Sequence, residues 1–243
     1  MSYEPALAGQ TVVVIGGSSG IGLETARLAR SEGANVVLNG RDPQRLEHAA
    51  RELGALSNAA FDATDFEALG RFFDALPAPV DHILVTVGGP YYAKLAEIDF
   101  AKARRNIEEE LLLRLHIARL AVGKVRAGGT LVFIGGVGGR RPSASPLVAA
   151  LTAAMPALTR TLAFELAPVR VNLIAPGFVD TPLSASLLGN QLEARREQLR
   201  ATLPIGRVVG PADIAMLAVH IMTNTAITGV TYDIDGGQQL VEG

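Results

Sequence analysis

Two patterns alternate along this chain. Short uncharged runs rich in β-branched residues recur near Val12–Ile15, Val36–Leu38, Ala59–Phe61, His82–Val87, Gly129–Ile134, Val169–Ile174 and Val230–Ile234. Between them apolar residues return every three or four positions, as at Ile21, Leu23, Ala26, Leu28 and Ala29. The same period marks helices over Phe66–Leu76, Phe100–Val125 and Ala212–Met222, with Asp65 and Asp213 suited to begin two of them. Continuous apolar runs fit strands buried on both faces, and the 3.6-residue period fits helices covering them. The alternation predicts an α/β fold: a doubly wound, mainly parallel sheet of seven strands. No linker, repeat or low-complexity stretch divides the sequence, so one domain over residues 1–243 is expected.

The first strand runs into Gly16-Gly-Ser-Ser-Gly20-Ile-Gly22 and then a helix. That order builds a phosphate-binding device. Gly16 serves the tight turn, and Gly20 and Gly22 let backbone amides and the positive helix end approach a pyrophosphate. Ser18, Ser19 and Ile21 belong to the same loop. The predicted ligand is a dinucleotide, held by a Rossmann-type sheet.

The second strand ends at Asn39-Gly40-Arg41, about 20 residues past the loop, where such a fold meets the adenosine ribose. An acid there would bind both ribose hydroxyls. Arg41 instead matches a 2′-phosphate in charge and planar geometry, so NADP(H) is expected over NAD(H).

Composition narrows the alternatives. The 243 residues are 49% apolar with a formal charge of −2, enough for a large core and no argument for nucleic acid or an anionic membrane. The chain has no cysteine and shows no metal-ligand spacing among His48, His82, His116 and His220, so no metal site is expected. Met1 to Pro5 lacks the basic and apolar segments of a secretory signal, and a cytoplasmic protein is expected. Pro142 to Thr159 is uncharged, but Pro146, Pro156 and several hydroxyls make it a poor membrane span. Its many alanines suit close approach by a second subunit.

These residues resemble the short-chain dehydrogenase/reductase family over nearly the whole chain. The loop is similar to that family's Thr-Gly-x-x-x-Gly-x-Gly, with Ile15 in place of the threonine. Phe61-Asp62-Ala63 resembles its adenine-contacting segment, and Asn172 to Thr181 its Pro-Gly turn beside the nicotinamide. The resemblance implies cofactor contacts from Asn39, Asp62, Ala63, Val87, Gly88, Pro176, Gly177, Val179 and Thr181. It also implies a homodimer or homotetramer, through Ile107, Leu111, Leu115 and Ala118 and through the helix from Pro146 to Ala163.

The departures concern catalysis. The family's serine and its Tyr-x-x-x-Lys pair fall, by spacing, on Gly135, Val148 and Thr152, and Gly135 to Arg160 contains no tyrosine, lysine or histidine. The family's Asn-Asn-Ala-Gly has become Thr86-Val-Gly-Gly89. Asn106 matches the fourth catalytic position. Remaining candidates for proton transfer are Tyr91 and Tyr92, with Lys94 nearby, while Arg140, Arg141, Ser143 and Ser145 could orient a polar or anionic small-molecule substrate. Two expectations follow: an oxidoreductase with a rebuilt active site, or a non-catalytic NADP(H)-binding protein that senses cofactor or assembles with a partner.

Overall fold

The computed structural model describes residues 5–140, 142 and 145–241. β1 (Thr11–Ile15), β2 (Asn35–Gly40), β3 (Ser57–Ala60), β4 (Val80–Val85), β5 (Val125–Ile134), β6 (Arg170–Pro176) and β7 (Thr231–Ile234) form one sheet. Their order is β3-β2-β1-β4-β5-β6-β7, and every neighbouring pair is parallel. The seven strands expected from the apolar runs are all present.

Both faces of the sheet are covered, which is why its central strands carry no polar alternation. Along β1 the side chains point in turn to opposite faces: Val12 and Val14 pack with Val36, Leu38, Ala26 and Ile214, and Val13 and Ile15 with Val37, Phe73, Ile83 and Ile117. Each such side chain taken fully from water contributes about 1.5–3 kcal/mol. One layer holds α1 (Gly20–Ser31), α2 (Pro43–Leu53) and α9 (Pro211–Thr223). The other holds α3 (Phe66–Asp74), α4 (Phe100–Ile107), α5 (Leu113–Ala121) and α6 (Pro146–Glu165).

Helix starts follow local side-chain chemistry. Asp65 accepts the Ala68 amide at 3.0 Å, Asp42 the Arg45 amide at 3.0 Å, and Asp99 the Ala101 amide at 2.8 Å, each such cap being worth about 1 kcal/mol. Asp213 sits in the first turn of α9 and accepts the Gly210 amide at 2.9 Å.

Three boundaries differ from the pattern. The expected helix Phe100–Val125 is broken by a π turn over Glu108–Leu112 and ends at Ala121, because the chain turns back to begin β5 at Val125. β5 starts four residues early, its register shifting where Val80 pairs with Val125 but His82 with Thr130. β4 stops at Val85, so Thr86 and Val87 leave the sheet for the edge where the strands end. Three helices were not placed from the pattern: α2, α7 (Pro182–Leu188) and α8 (Leu192–Thr202). Most of the uncharged stretch lies in the 20-residue α6, which runs on through Arg160 to Glu165 and is long and apolar enough to cross a membrane by length and composition. It lies on the sheet through buried Val148, Met155, Thr159 and Leu162, while Ala150, Ala153, Ala154, Ala157 and Phe164 face outward.

Candidate functional site

The sheet order reverses between β1 and β4, and a crevice opens at the carboxyl ends of the strands there, the usual ligand position in such a sheet. A cleft of about 180 Å³ occupies it. Its wall brings together Gly16, Ser18, Ser19, Gly20, Ile21, Asn39, Arg41, Ala63, Val87, Gly88 and Thr181, residues drawn from five separate stretches of sequence.

The loop between β1 and α1 is tightly built. Gly16 has φ of 97°, and a Cβ on it would strike the Thr86 hydroxyl. Gly22 has no room for a side chain either: a Cβ there would run into the Gly16 carbonyl and lie 2.8 Å from Thr86 Oγ1. The Thr86 hydroxyl donates toward the Ile15 and Gly16 carbonyls at 3.2 and 3.1 Å, clamping the end of β4 to this turn. Ser19 caps α1 without a side-chain bond, and the first turn of α1 has no acid. The devices that commonly satisfy a helix N-terminus are therefore missing, and its amides stand available to an anion.

At one end of the cleft Arg41 and Arg45 stand together, Arg45 placed by the start of α2 and 3.5 Å from Asp42. Gly40 lets the end of β2 approach the loop, since a Cβ there would sit 2.9 Å from Ser18 Oγ. Asn39 lines the wall, but its amide donates to the Ala59 and Phe61 carbonyls, both at 3.2 Å, and so ties β2 to β3. At the other end Val87 and Gly88 face Thr181, Pro182 and Leu183. Thr181 caps α7 by accepting the Ser184 amide at 3.3 Å. Gly40, Arg45, Thr86, Pro182 and Leu183 complete the wall and were not among the residues expected from the sequence. The Asp-Pro start of α2 was a usable signal for Arg45.

Four expected residues lie beside the cleft rather than in its wall. Asp62 spends one carboxylate oxygen on the Thr64 amide and hydroxyl and sets the other 3.2 Å from Arg105. Burial pulls this carboxyl upward, but the Thr64 bonds with Arg41 and Arg105 outweigh it and hold it below the usual range. The Pro176 carbonyl accepts from Val137 at 3.2 Å, the Gly177 amide donates to Ile234 at 3.3 Å, and Val179 pairs with Val209.

The catalytic candidates are differently engaged. Tyr91 accepts the Asp99 amide at 3.0 Å, so its hydroxyl serves the start of α4. Tyr92 is 64% exposed and Lys94 is exposed beyond it. Asn106 is buried, donates to the Gly89 carbonyl at 2.7 Å, and leaves Oδ1 without a partner among the described residues. Arg140 grips Asp233 in a two-pronged pair at 2.7 and 2.9 Å. Ser145 bonds the Tyr91 carbonyl and Ala93 amide at 3.3 and 3.4 Å. Arg141 and Ser143 lie outside the described residues. Gly135 follows β5, Val148 is buried, and the Thr152 hydroxyl donates to the Val148 carbonyl at 2.7 Å.

Comparison with known proteins agrees with this geometry. The sequence family described as enoyl-(acyl carrier protein) reductase matches residues 15–239. The short-chain dehydrogenase/reductase ATR9 of Stachybotrys chlorohalonatus is 31% identical, over 96% of this chain and 98% of that protein. Among solved structures, the MalC reductase/Diels-Alderase from Malbranchea aurantiaca superposes with a TM-score of 0.89 at 26% identity, covering 98% and 99% of the two chains. BdcA, solved in complex with NADPH, superposes with a TM-score of 0.84 at 26% identity over 95% of each chain. From the cleft, the sheet order and these matches together, the chain belongs to the short-chain dehydrogenase/reductase family of oxidoreductases.

Proposed function

We propose that this chain is an NADP(H)-binding oxidoreductase whose active site works without the family's serine, tyrosine and lysine. The observation that carries the reading is the pair Arg41 and Arg45 at one end of a cleft whose middle is the open N-terminus of α1. Two guanidinium groups, with no carboxylate in the cleft wall, suit a 2′-phosphate. BdcA, a neighbour in fold, binds NADPH, which supports the same cofactor here.

Bound nicotinamide supplies a hydride. Reduction of a carbonyl by that hydride leaves an alkoxide needing a proton and a hydrogen-bond donor. Gly135 offers no side chain, Val148 no polar atom, and the Thr152 hydroxyl is already committed to its own helix. Losing one placed general acid costs about 10²–10⁴-fold in rate, so ordinary ketone reduction is not the reaction this cleft supports. Asn106 and Tyr92 stay nearest to candidates for polar contact with a small-molecule substrate.

The second reading, a non-catalytic NADP(H)-binding protein, is favoured by the commitment of Tyr91, Arg140 and Ser145 to structural bonds. Both readings require the cofactor, and titration calorimetry tests it. NADPH should bind more tightly than NADH, and Arg41→Ala should lose about one to two decades for NADPH and little for NADH, the worth of one charge-assisted contact. Equal loss for the two nucleotides would remove the 2′-phosphate from Arg41.

A further inference from the structure

Beneath the loop that follows β4 lies a buried ion pair that the cofactor cleft alone does not explain. Gly88 lines the cleft with φ of 108°, and a Cβ on it would run into the Glu110 carboxylate. The absence of a side chain at position 88 thus brings Glu110 directly against the cleft's backbone wall. Glu110 Oε2 lies 3.1 Å from Arg114 Nη2. The Glu110 side chain is 15% exposed.

Arg114 is what fixes this carboxylate in place. Its side chain is 2% exposed, it donates to the Glu110 and Ile134 carbonyls at 2.6 Å, and to the Glu109 carbonyl at 3.1 Å. Those carbonyls belong to the π turn between α4 and α5 and to the last residue of β5. Burying a guanidinium and a carboxylate costs more than their attraction commonly returns, so such a pair is weak evidence for stability and a candidate for another duty.

The sheet order says what that duty is. The carboxyl ends of β2, β1 and β4 lie side by side and present Arg41, the glycine loop and Gly88 in that sequence. If the 2′-phosphate lies at β2 and the pyrophosphate at β1, the second ribose arrives at β4. A ribose diol offers two hydroxyl donors, and a carboxylate is the acceptor that binds them most strongly. Resting on the NADP(H) reading above, we propose that Glu110 positions the cofactor by accepting a hydrogen bond from a hydroxyl of its nicotinamide ribose beside Gly88, with Arg114 holding the carboxylate there.

The test compares two nucleotides that share the adenosine end and differ at the other: NADPH and 2′,5′-ADP, which lacks the nicotinamide ribose. Each is titrated into the unsubstituted protein, into Glu110→Gln, and into a double variant Glu110→Leu with Arg114→Met that replaces the pair by apolar residues of similar volume. The expected result is NADPH affinity lower by about tenfold in the double variant and by about threefold or more in Glu110→Gln, from loss of the charge-assisted bond. Affinity for 2′,5′-ADP should stay within about twofold, a contrast that a purely structural ion pair would not produce. Unchanged NADPH binding in both variants would overturn the assignment, as would parallel loss of both nucleotides. Failure of the unsubstituted protein to bind either nucleotide would instead overturn the NADP(H) reading and this assignment with it. Should Glu110→Gln fail to fold, the double variant alone decides between these outcomes.

Discussion

His82 shows how a single buried side chain links this fold to solution conditions. It sits in β4, 1% exposed, with Nε2 2.7 Å from Gln10 Oε1 and Nδ1 without a partner among the described residues. Burial pushes its pKa down to about 4; Asp81 pulls upward, and Arg126 and Arg170 push further down. In the unfolded chain the ring titrates near its ordinary 6.5. Between these values the unfolded state holds the extra proton, so stability is full above about pH 6.5 and falls as pH drops toward 4. Urea unfolding should show about 2 kcal/mol less stability at pH 5 than at pH 7 from this group, and His82→Gln should flatten that part of the curve. A slope unchanged by the substitution would assign the loss to other groups.

The same scale shows how far the candidate site could be read from residues alone. Gly16, Gly20 and Arg41 were legible because their chemistry is local: a strand, a turn, a helix start and a cation at the next strand end. Thr86 was not, because it acts across the fold, from the end of β4 onto Gly16, while Arg45 had a local signal in the Asp-Pro start of α2. Tyr91, Arg140 and Ser145 read as chemically available in sequence. Their partners Asp99, Asp233 and Ala93 become neighbours only when the chain is folded.

Among the elements, the central strands were legible because burial on both faces leaves β-branched runs with no alternation to obscure them. β3 was less so, its Ser57 and Asn58 being exposed at the sheet edge. The break between α4 and α5 carries no proline or glycine, and the π turn is instead held by Arg114 from a later position. α6 poses a different question. Its outward face of Ala150, Ala153, Ala154 and Ala157 carries no charge until Arg160, and ends in Phe164 at 88% exposure. With Leu112 and Leu115 exposed on the neighbouring elements, this face suits a symmetric contact with a second copy. Light scattering should show a dimer or tetramer at micromolar concentration, and Ala157→Arg should reduce it to smaller species. Gly139 packs against Ala149 and Ala153, which makes Ala157 the cleaner position for that substitution. A monomer before any substitution would contradict this assembly.

At the scale of the whole molecule, the strand order reverses where the glycine loop and Gly88 meet, while Gly135 follows β5, Val148 is buried in α6 and the Thr152 hydroxyl donates within that helix. Restoring Gly135→Ser, Val148→Tyr and Thr152→Lys together asks whether proton transfer alone is missing; Leu173, which would lie 3.1 Å from the new Cβ at position 135, must give slightly. The most direct test is the rate of NADPH oxidation by the unsubstituted protein with simple ketones, aldehydes and quinones, followed at 340 nm beside a control of inert protein. Rates should be indistinguishable from that control in a preparation shown to bind NADPH. Robust turnover of an ordinary ketone would contradict that expectation and require another proton donor in the cleft.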